Sequence, residues 1–354
     1  MTETKVFRID PENIDYDKIR YCADVIKRGG LVCFPTETVY GLGASAFDEV
    51  AVENIFKAKG RPNDNPLIVH VCDNEMIENV ADAPDYQMER LKKMAARYWP
   101  GPLTMIVDKN GAIPDAVSCG LATVGIRMPV NKIALALIRE SGVPIAAPSA
   151  NLSGKPSPTT FEHCEQDLMG RVDVIIDGGP CDVGVESTVL DLVGENPSIL
   201  RPGAITLENV RETLGENSDL FDWQKPLGDV KPKSPGMKYT HYSPDADVTI
   251  YDGDIEKVRE FIKKETEKLI KEGETVGILH TDDATGYYDK GFAISFGDRK
   301  APLTLTRNLF DALRTFDKFG CTVVLAEAVD KSGVGNAVMN RLYRAAGGKI
   351  ITIK

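Results

Sequence analysis

Pro35-Thr36-Glu37-Thr38-Val39-Tyr40-Gly41-Leu42-Gly43, then Lys57-Ala58-Lys59-Gly60-Arg61-Pro62-Asn63 and Asn65-Pro66-Leu67-Ile68-Val69-His70, decide how the first half of this chain is read. The apolar run Leu31–Phe34 precedes the block and Leu67–Val71 closes it, with the amphipathic stretch Val50–Lys59 between them. Strand, helix and strand in that order form a βαβ-like unit, which points to an α/β sheet. Val52, Ile55 and Phe56 mark the buried face of the helix at helical spacing. Lys59 falls seven residues after Val52, in line with that face, whereas Lys57 points about 200° away from it. Gly60 suits the position that ends the helix. Lys59 and Arg61 are therefore presented beside whatever the helix packs on, although a short K-x-K-x-R run can also be a solvated charge cluster. Hydroxyls and cations that follow strands are the groups needed to hold a phosphorylated ligand beside a polar small molecule.

Outward from this block the alternation continues. Leu103–Val107, Thr123–Met128, Val143–Ala147, Val172–Ile176 and Thr188–Leu192 read as strands. Asp15–Arg28, Tyr86–Tyr98, Ile133–Ser141 and Leu207–Thr213 read as helices. Residues 1–213 are thus expected to form a twisted mixed sheet with helices around an open cleft. Residues 214–245 break the pattern with many Pro and Gly residues and isolated aromatics. Trp223, Tyr239 and Tyr242 are costly to leave in water, so this segment is expected to dock over a neighbouring surface rather than to hang free. From residue 246 the alternation restarts: strands at Val248–Tyr251, Thr275–Leu279, Ala293–Phe296, Thr322–Leu325 and Ile350–Ile353, and helices at Ile255–Lys271, Thr306–Phe316 and Asn336–Ala346. Residues 246–354 are expected to form a smaller, Rossmann-like α/β domain. Gly333-Val334-Gly335 is not a dinucleotide fingerprint, because Val338 stands where the third glycine belongs.

At 354 residues, two domains fit the length. A formal net charge of −11 argues against tight non-specific nucleic-acid binding. Seven cysteines without C-x-x-C spacing argue against a zinc site or a disulfide framework and favour a reducing, cytoplasmic setting. The opening residues lack the apolar core of a signal peptide, and no run approaches a membrane span.

Further residues can carry chemistry. On Ala122–Met128, alternation puts Thr123, Gly125 and Arg127 on one face, opposite Val124, Ile126 and Met128. An arginine in mid-strand beside a glycine suggests a cation facing a pocket and suited to carboxylate or phosphate, unless that face is simply exposed. The small-residue strand ending at Ala147 runs into Ser149, Asn151 and Ser157, a loop rich in hydroxyls, amide and backbone N–H groups. Ser187 opens a strand after a glycine-bearing turn, and Arg201 supplies another cation. His70 ends a strand; His241 lies among the aromatics of the central segment. No P-loop, nucleophile elbow, metalloprotease motif or carboxylate dyad is present, so positioning and charge neutralisation are expected to do the chemical work.

The ordered blocks PTETVYGLG, KAKGRPNDNPLIVHV, YWPGPLT, VGIRMP, APSANLSGKPSPT, ESTV and RPG, followed by SPGMKYTHYSP and GVGNAVMNRLYRAAGG, resemble the threonylcarbamoyl-AMP synthase family in its long two-domain form. The resemblance implies a nucleotidyltransferase that condenses L-threonine, bicarbonate and ATP, with Mg2+, into threonylcarbamoyl-AMP and pyrophosphate. The product serves threonylcarbamoyl modification of the tRNA adenosine beside the anticodon. By motif position, Thr36, His70, Arg127, Ala147 and Ser187 match the threonine-contacting residues. Lys59, Asn63, Thr123, Ser149, Ser157, Arg201 and Tyr242 match the ATP-contacting ones. Arg61 and Asn151 complete the K-x-R and S-x-N pairs near the phosphates, and Lys59 and Arg61 are the expected catalytic cations. Tyr242 implies that residues 214–245 fold over the cleft. The implied partner is the transferase machinery that receives the product, with weak or no direct tRNA binding and no membrane. An RNA-binding module without catalysis is the competing reading, opposed by the acidic total and the absence of RNA-recognition motifs. The related carbamoyl-transfer domain of hydrogenase maturation would need zinc-finger cysteine pairs, which this chain lacks.

Overall fold

The computed structural model describes residues 2–224, 232, 234 and 242–354. The chain divides into two compact units, one of residues 1–153 and 158–238, the other of residues 154–157 and 239–354.

In the first unit the described residues build an eleven-stranded mixed sheet. Its order is Lys5–Arg8, Val174–Asp177, Val32–Phe34, Gly41–Ser45, Ile145–Ala147, Ile68–His70, Thr123–Arg127, Leu103–Asp108, Thr188–Asp191, Ser198–Arg201 and Asp219–Leu220. The central registers position the site. Ile68 stands opposite Ala147 on one side and Gly125 on the other, and His70 stands beside Arg127. Arg127 in turn faces Thr104 across an antiparallel pair. Directly opposed residues share a face, so His70, Arg127, Thr104, Gly125 and Ala147 line one surface while Val124 and Ile126 are buried on the other.

The helix Tyr16–Lys27 starts at Asp15, whose carboxylate accepts from the N–H groups of Asp17 and Lys18, and it buries Ile19, Cys22, Ala23 and Ile26. The helix Glu49–Lys59 is capped by Asp48 and ends at Gly60 with φ 62°, the left-handed conformation glycine tolerates. Its buried face carries Val52, Ile55, Phe56 and Lys59. Lys57 lies exposed, 3.6 Å from Glu53.

The structure adds elements that the sequence expectation lacks, among them the strands Lys5–Arg8, Gly41–Ser45, Ser198–Arg201 and Asp219–Leu220 and the helices Asn74–Glu78, Asp115–Ser118 and Phe161–Leu168. Gly41-Leu42-Gly43 reads as a turn because glycine is a poor strand former. The sheet requires it nonetheless: a Cβ on Gly43 would lie 2.6 Å from Ile145 Cγ2 and 2.7 Å from Phe34 Cε1. Asp219–Leu220 pairs with Ser198–Arg201, so the first sheet extends past residue 213. Trp223 is buried, whereas Tyr239 and His241 lie outside the described residues.

In the second unit, five parallel strands run in the order Phe292–Ser295, Val276–His280, Val323–Glu327, Asp247–Gly253 and Ile350–Ile353. By chain order this is 3-2-4-1-5, which exchanges the first and fourth strands of the six-stranded Rossmann order within its 3-2-1-4-5 part. The helices Ile255–Lys271, Pro302–Lys318 and Gly335–Ala345 complete the layers. At the carboxyl ends of the strands, the fully buried Glu327 accepts from Arg259 Nε at 3.0 Å, Arg299 Nη2 at 3.0 Å and Tyr288 OH at 2.9 Å. These three bonds offset the cost of burying the carboxylate. Among the described residues no helix is long and apolar enough to cross a membrane.

Candidate active site

The loop leaving Val32–Phe34 turns on Thr36. Its Oγ1 donates to the Val39 carbonyl at 2.7 Å and accepts from the N–H groups of Thr38 and Val39 at 3.2 and 3.3 Å. This hydroxyl turn fixes the next two residues against Arg127. Arg127 Nη2 donates to Glu37 Oε1 at 2.6 Å, Nη1 to Thr38 Oγ1 at 2.9 Å, and Nε to the Gly101 carbonyl at 3.4 Å. Glu37 Oε2 also accepts from the Val130 N–H at 3.2 Å. Of the five guanidinium N–H groups, these contacts engage three, and two remain for an incoming carboxylate. Both partners of this ion pair are 4% exposed.

Beside Arg127 in register, His70 is buried in an edge-to-face pair with Phe34, ring centroids 6.0 Å apart. Its Nδ1 has no hydrogen-bond partner. Burial, and secondarily the charge of Arg127, lowers its pKa to about 3. His70 is thus a neutral imidazole near pH 7 and a weak base, suited to accept a hydrogen bond rather than to collect a proton. On the other side of Arg127, Thr104 Oγ1 and Ser187 Oγ lie 2.7 Å apart. Arg201 binds the Ser187 carbonyl through Nε at 3.1 Å and Nη2 at 3.0 Å, and reaches its hydroxyl at 3.2 Å. Thr36, Thr38, Arg127, Thr104, Ser187 and Arg201 thereby form one continuous polar row, with Ala147 and Gly125 leaving space along it.

The strand Ile145–Ala147 runs from this row into a second cluster. Lys59 Nζ donates to the carbonyls of Ser149, at 2.5 Å, and Asn151. Asn151 Oδ1 lies 3.5 Å from the same nitrogen and accepts from Ser149 Oγ at 2.5 Å. Lys59 is 3% exposed. Burial first, and then the neighbouring Arg61, lowers its pKa to about 7. Arg61 lies half-buried, donates to the Asn65 carbonyl at 2.9 Å and places its guanidinium 5.7 Å from the Phe56 ring centre. Asn63 is exposed and accepts from Cys119 Sγ at 3.2 Å. Thr123 lines a small pocket with Leu67, Ile68, Thr104, Ile106, Leu121 and Val189. Ser157 and Tyr242 belong to the second unit. Ser157 is fully buried there, and Tyr242 is buried with φ 67°.

Two family models cover nearly the whole chain. One, described as "Telomere recombination" and named for Sua5, YciO and YrdC, matches residues 24–203. The other, "Threonylcarbamoyl-AMP synthase, C-terminal domain", matches residues 205–347. The threonylcarbamoyl-AMP synthase of Pyrococcus abyssi is 47% identical over 343 residues, spanning 97% of this chain and 98% of that protein. That of Bacillus subtilis is 47% identical over 338 residues, spanning 94% of each. The chain belongs to the threonylcarbamoyl-AMP synthase family. A crystal structure of P. abyssi Sua5 complexed with L-threonine matches it with a TM-score of 0.92 at 45% identity, covering both chains completely.

Within the family fold, four polar residues absent from the sequence expectation stand out. Glu37 and Thr38 hold Arg127, and Thr104, its cross-strand neighbour, pairs with Ser187. Asn65 is buried with neither side-chain amide atom hydrogen-bonded. A polar residue at an inward parity position of the apolar run Leu103–Val107 was a legible signal for Thr104. Nothing local marks Glu37 as the partner of a residue 90 positions away. Among the described residues, no group of three or more His, Cys, Asp or Glu side chains could hold a metal ion. Cations and hydroxyls line this site, so its donor set suits a polyphosphate and not a resident divalent ion.

Proposed function

We propose that this chain is an L-threonylcarbamoyladenylate synthase, a nucleotidyltransferase that joins L-threonine, bicarbonate and ATP. The observation that carries the reading is the buried Arg127 fork, pre-oriented by Glu37 and Thr38 with two N–H groups left for a carboxylate. The threonine carboxylate docks there, and the neutral His70 accepts a hydrogen bond from the amino acid. The amine and bicarbonate form a carbamate with loss of water. A carbamate oxygen then attacks the α-phosphorus, the bond from that phosphorus to the α,β-bridging oxygen breaks, and pyrophosphate leaves. Lys59 and Arg61 offset charge on the polyphosphate, while Ser149 and Asn151 orient it. Asn63, Thr123, Ser157, Arg201 and Tyr242 are assigned to the rest of the nucleotide. Magnesium enters as the counter-ion of ATP, held by its phosphates. The mixed anhydride formed is a donor for threonylcarbamoyl modification of tRNA by a separate transferase.

The test is pyrophosphate release from ATP with threonine and bicarbonate supplied together or omitted singly. Release is expected only with all three; release that ignores threonine overturns the assignment.

Lys59 adds a pH signature. With its free-enzyme pKa lowered to about 7, Lys59 is charged below that pH and must take up a proton to meet phosphate above it. ATP affinity is therefore expected to be flat below pH 7 and to fall by up to about tenfold per pH unit above it, with proton uptake on binding. Calorimetry in buffers of different ionisation enthalpy reads this directly. Binding that takes up no proton at pH 8 excludes a neutral Lys59 in the free protein.

A further inference from the structure

We propose that the second unit acts in nucleotide binding through one helix face: Phe310 and Arg314 of Pro302–Lys318 position Tyr242 and Ser157. The proposal rests on the assignment of those two residues to ATP.

Residues 310 and 314 are one helical turn apart and project from the same face. Arg314 is buried and donates twice to the Pro156 carbonyl, from Nε at 3.2 Å and Nη2 at 2.6 Å. Two charge-assisted bonds use both lone pairs of that carbonyl and fix the peptide leading into Ser157. The two residues before it are held as well. The Ser243 N–H donates to the Gly154 carbonyl at 2.9 Å. Lys155 Nζ lies 2.6 Å from Asp245 Oδ1 and 3.7 Å from Asp317 Oδ2, the latter on the same helix as Arg314. Three consecutive loop residues are thus fixed by residues of the same unit more than 80 positions away in sequence, and Ser157 follows directly, fully buried.

Tyr242 meets the same helix. Its ring packs on Phe310 with centroids 5.2 Å apart, and the Arg341 guanidinium lies 5.7 Å from its centre. Its φ of 67° is unfavourable for a residue with a Cβ and is sustained here by packing. Ser243, next in the chain, donates its hydroxyl to the Ala345 carbonyl at 3.0 Å. A domain that served only as ballast would not need a buried arginine gripping the backbone of a substrate loop. Arg314 and Phe310 are positioning residues, acting on ATP through Ser157 and Tyr242.

The experiment is steady-state kinetics on the full chain for Arg314→Ala, Arg314→Lys, Phe310→Ala and Phe310→Leu, with melting temperatures recorded. Arg314→Ala and Phe310→Ala are each expected to raise KM for ATP about tenfold, equivalent to one or two lost contacts, with KM for threonine within about twofold of the parent. Arg314→Lys, keeping one donor, is expected to fall between parent and alanine variant. Should either alanine variant fail to fold, the milder pair carries the test. Unchanged KM for ATP in Arg314→Lys and Phe310→Leu, or an equal loss for both substrates alongside a lowered melting temperature, overturns the proposal. The parent protein separates the two levels. Threonine-independent release rejects the reaction itself, whereas threonine-dependent release with unshifted variants rejects only this positioning role.

Discussion

Lys59→Ala is expected to lower threonine-dependent pyrophosphate release about a hundred- to a thousandfold while the chain still folds, the scale seen when one preorganised charge-stabilising group is removed. The lysine is already desolvated and already aimed, since its ammonium is fixed by the carbonyls of Ser149 and Asn151. It therefore offers charge to a phosphate without reorganising at the moment of reaction. The substitution leaves those carbonyls without their donor, at about 1–3 kcal/mol for a buried unpaired group, and in part relieves the cost of burying an ammonium. A melting temperature lowered by a few degrees fits that balance. Lys59→Met, which keeps the volume and removes the charge, should be equally inactive. Activity in Lys59→Met above about a tenth of the parent would show that Lys59 is a loop staple and not a phosphate ligand.

Repetition made much of the fold legible. The helix Ile255–Lys271 has the bounds its apolar period implies, and so does the strand Ile350–Ile353. Strict alternation likewise places Thr123, Gly125 and Arg127 on one face. Local signals failed where distant contacts decide. Gly41–Ser45 is a strand because Phe34 and Ile145 close over its glycines, which no window of a few residues reveals. Residues 154–157 read as an ordinary hydroxyl-rich loop. Their membership of the second unit depends on Arg314, 158 positions from Pro156. For His70, the end of a strand is all that the sequence shows, and it leaves the charge of the ring open. Burial beside a guanidinium decides for the neutral form, and that depends on the register of two strands.

Arg127→Ala is expected to abolish threonine-dependent release and, unlike the lysine variant, to threaten the fold. A pocket-facing arginine with no partner could be removed at little structural cost. Arg127 is instead half of a buried ion pair, and its loss strands the Glu37 carboxylate at about 3–5 kcal/mol. That is a large share of the roughly 5–15 kcal/mol by which domains are stable, so the single variant cannot by itself separate binding from folding. The double variant Glu37→Met with Arg127→Met can. Replacing both charges by apolar groups of similar length removes the stranded carboxylate and should restore most of the melting temperature. It also removes the carboxylate receptor, so threonine binding measured by calorimetry should remain undetectable. Glu37→Gln supplies the intermediate case. The guanidinium keeps an acceptor but loses the anchoring charge, so KM for threonine should rise about tenfold while KM for ATP stays near the parent value. A well-folded double variant that still releases pyrophosphate in response to threonine would mean that the amino acid binds elsewhere. The row from Thr36 through Arg127 to Ser187 would then be structural.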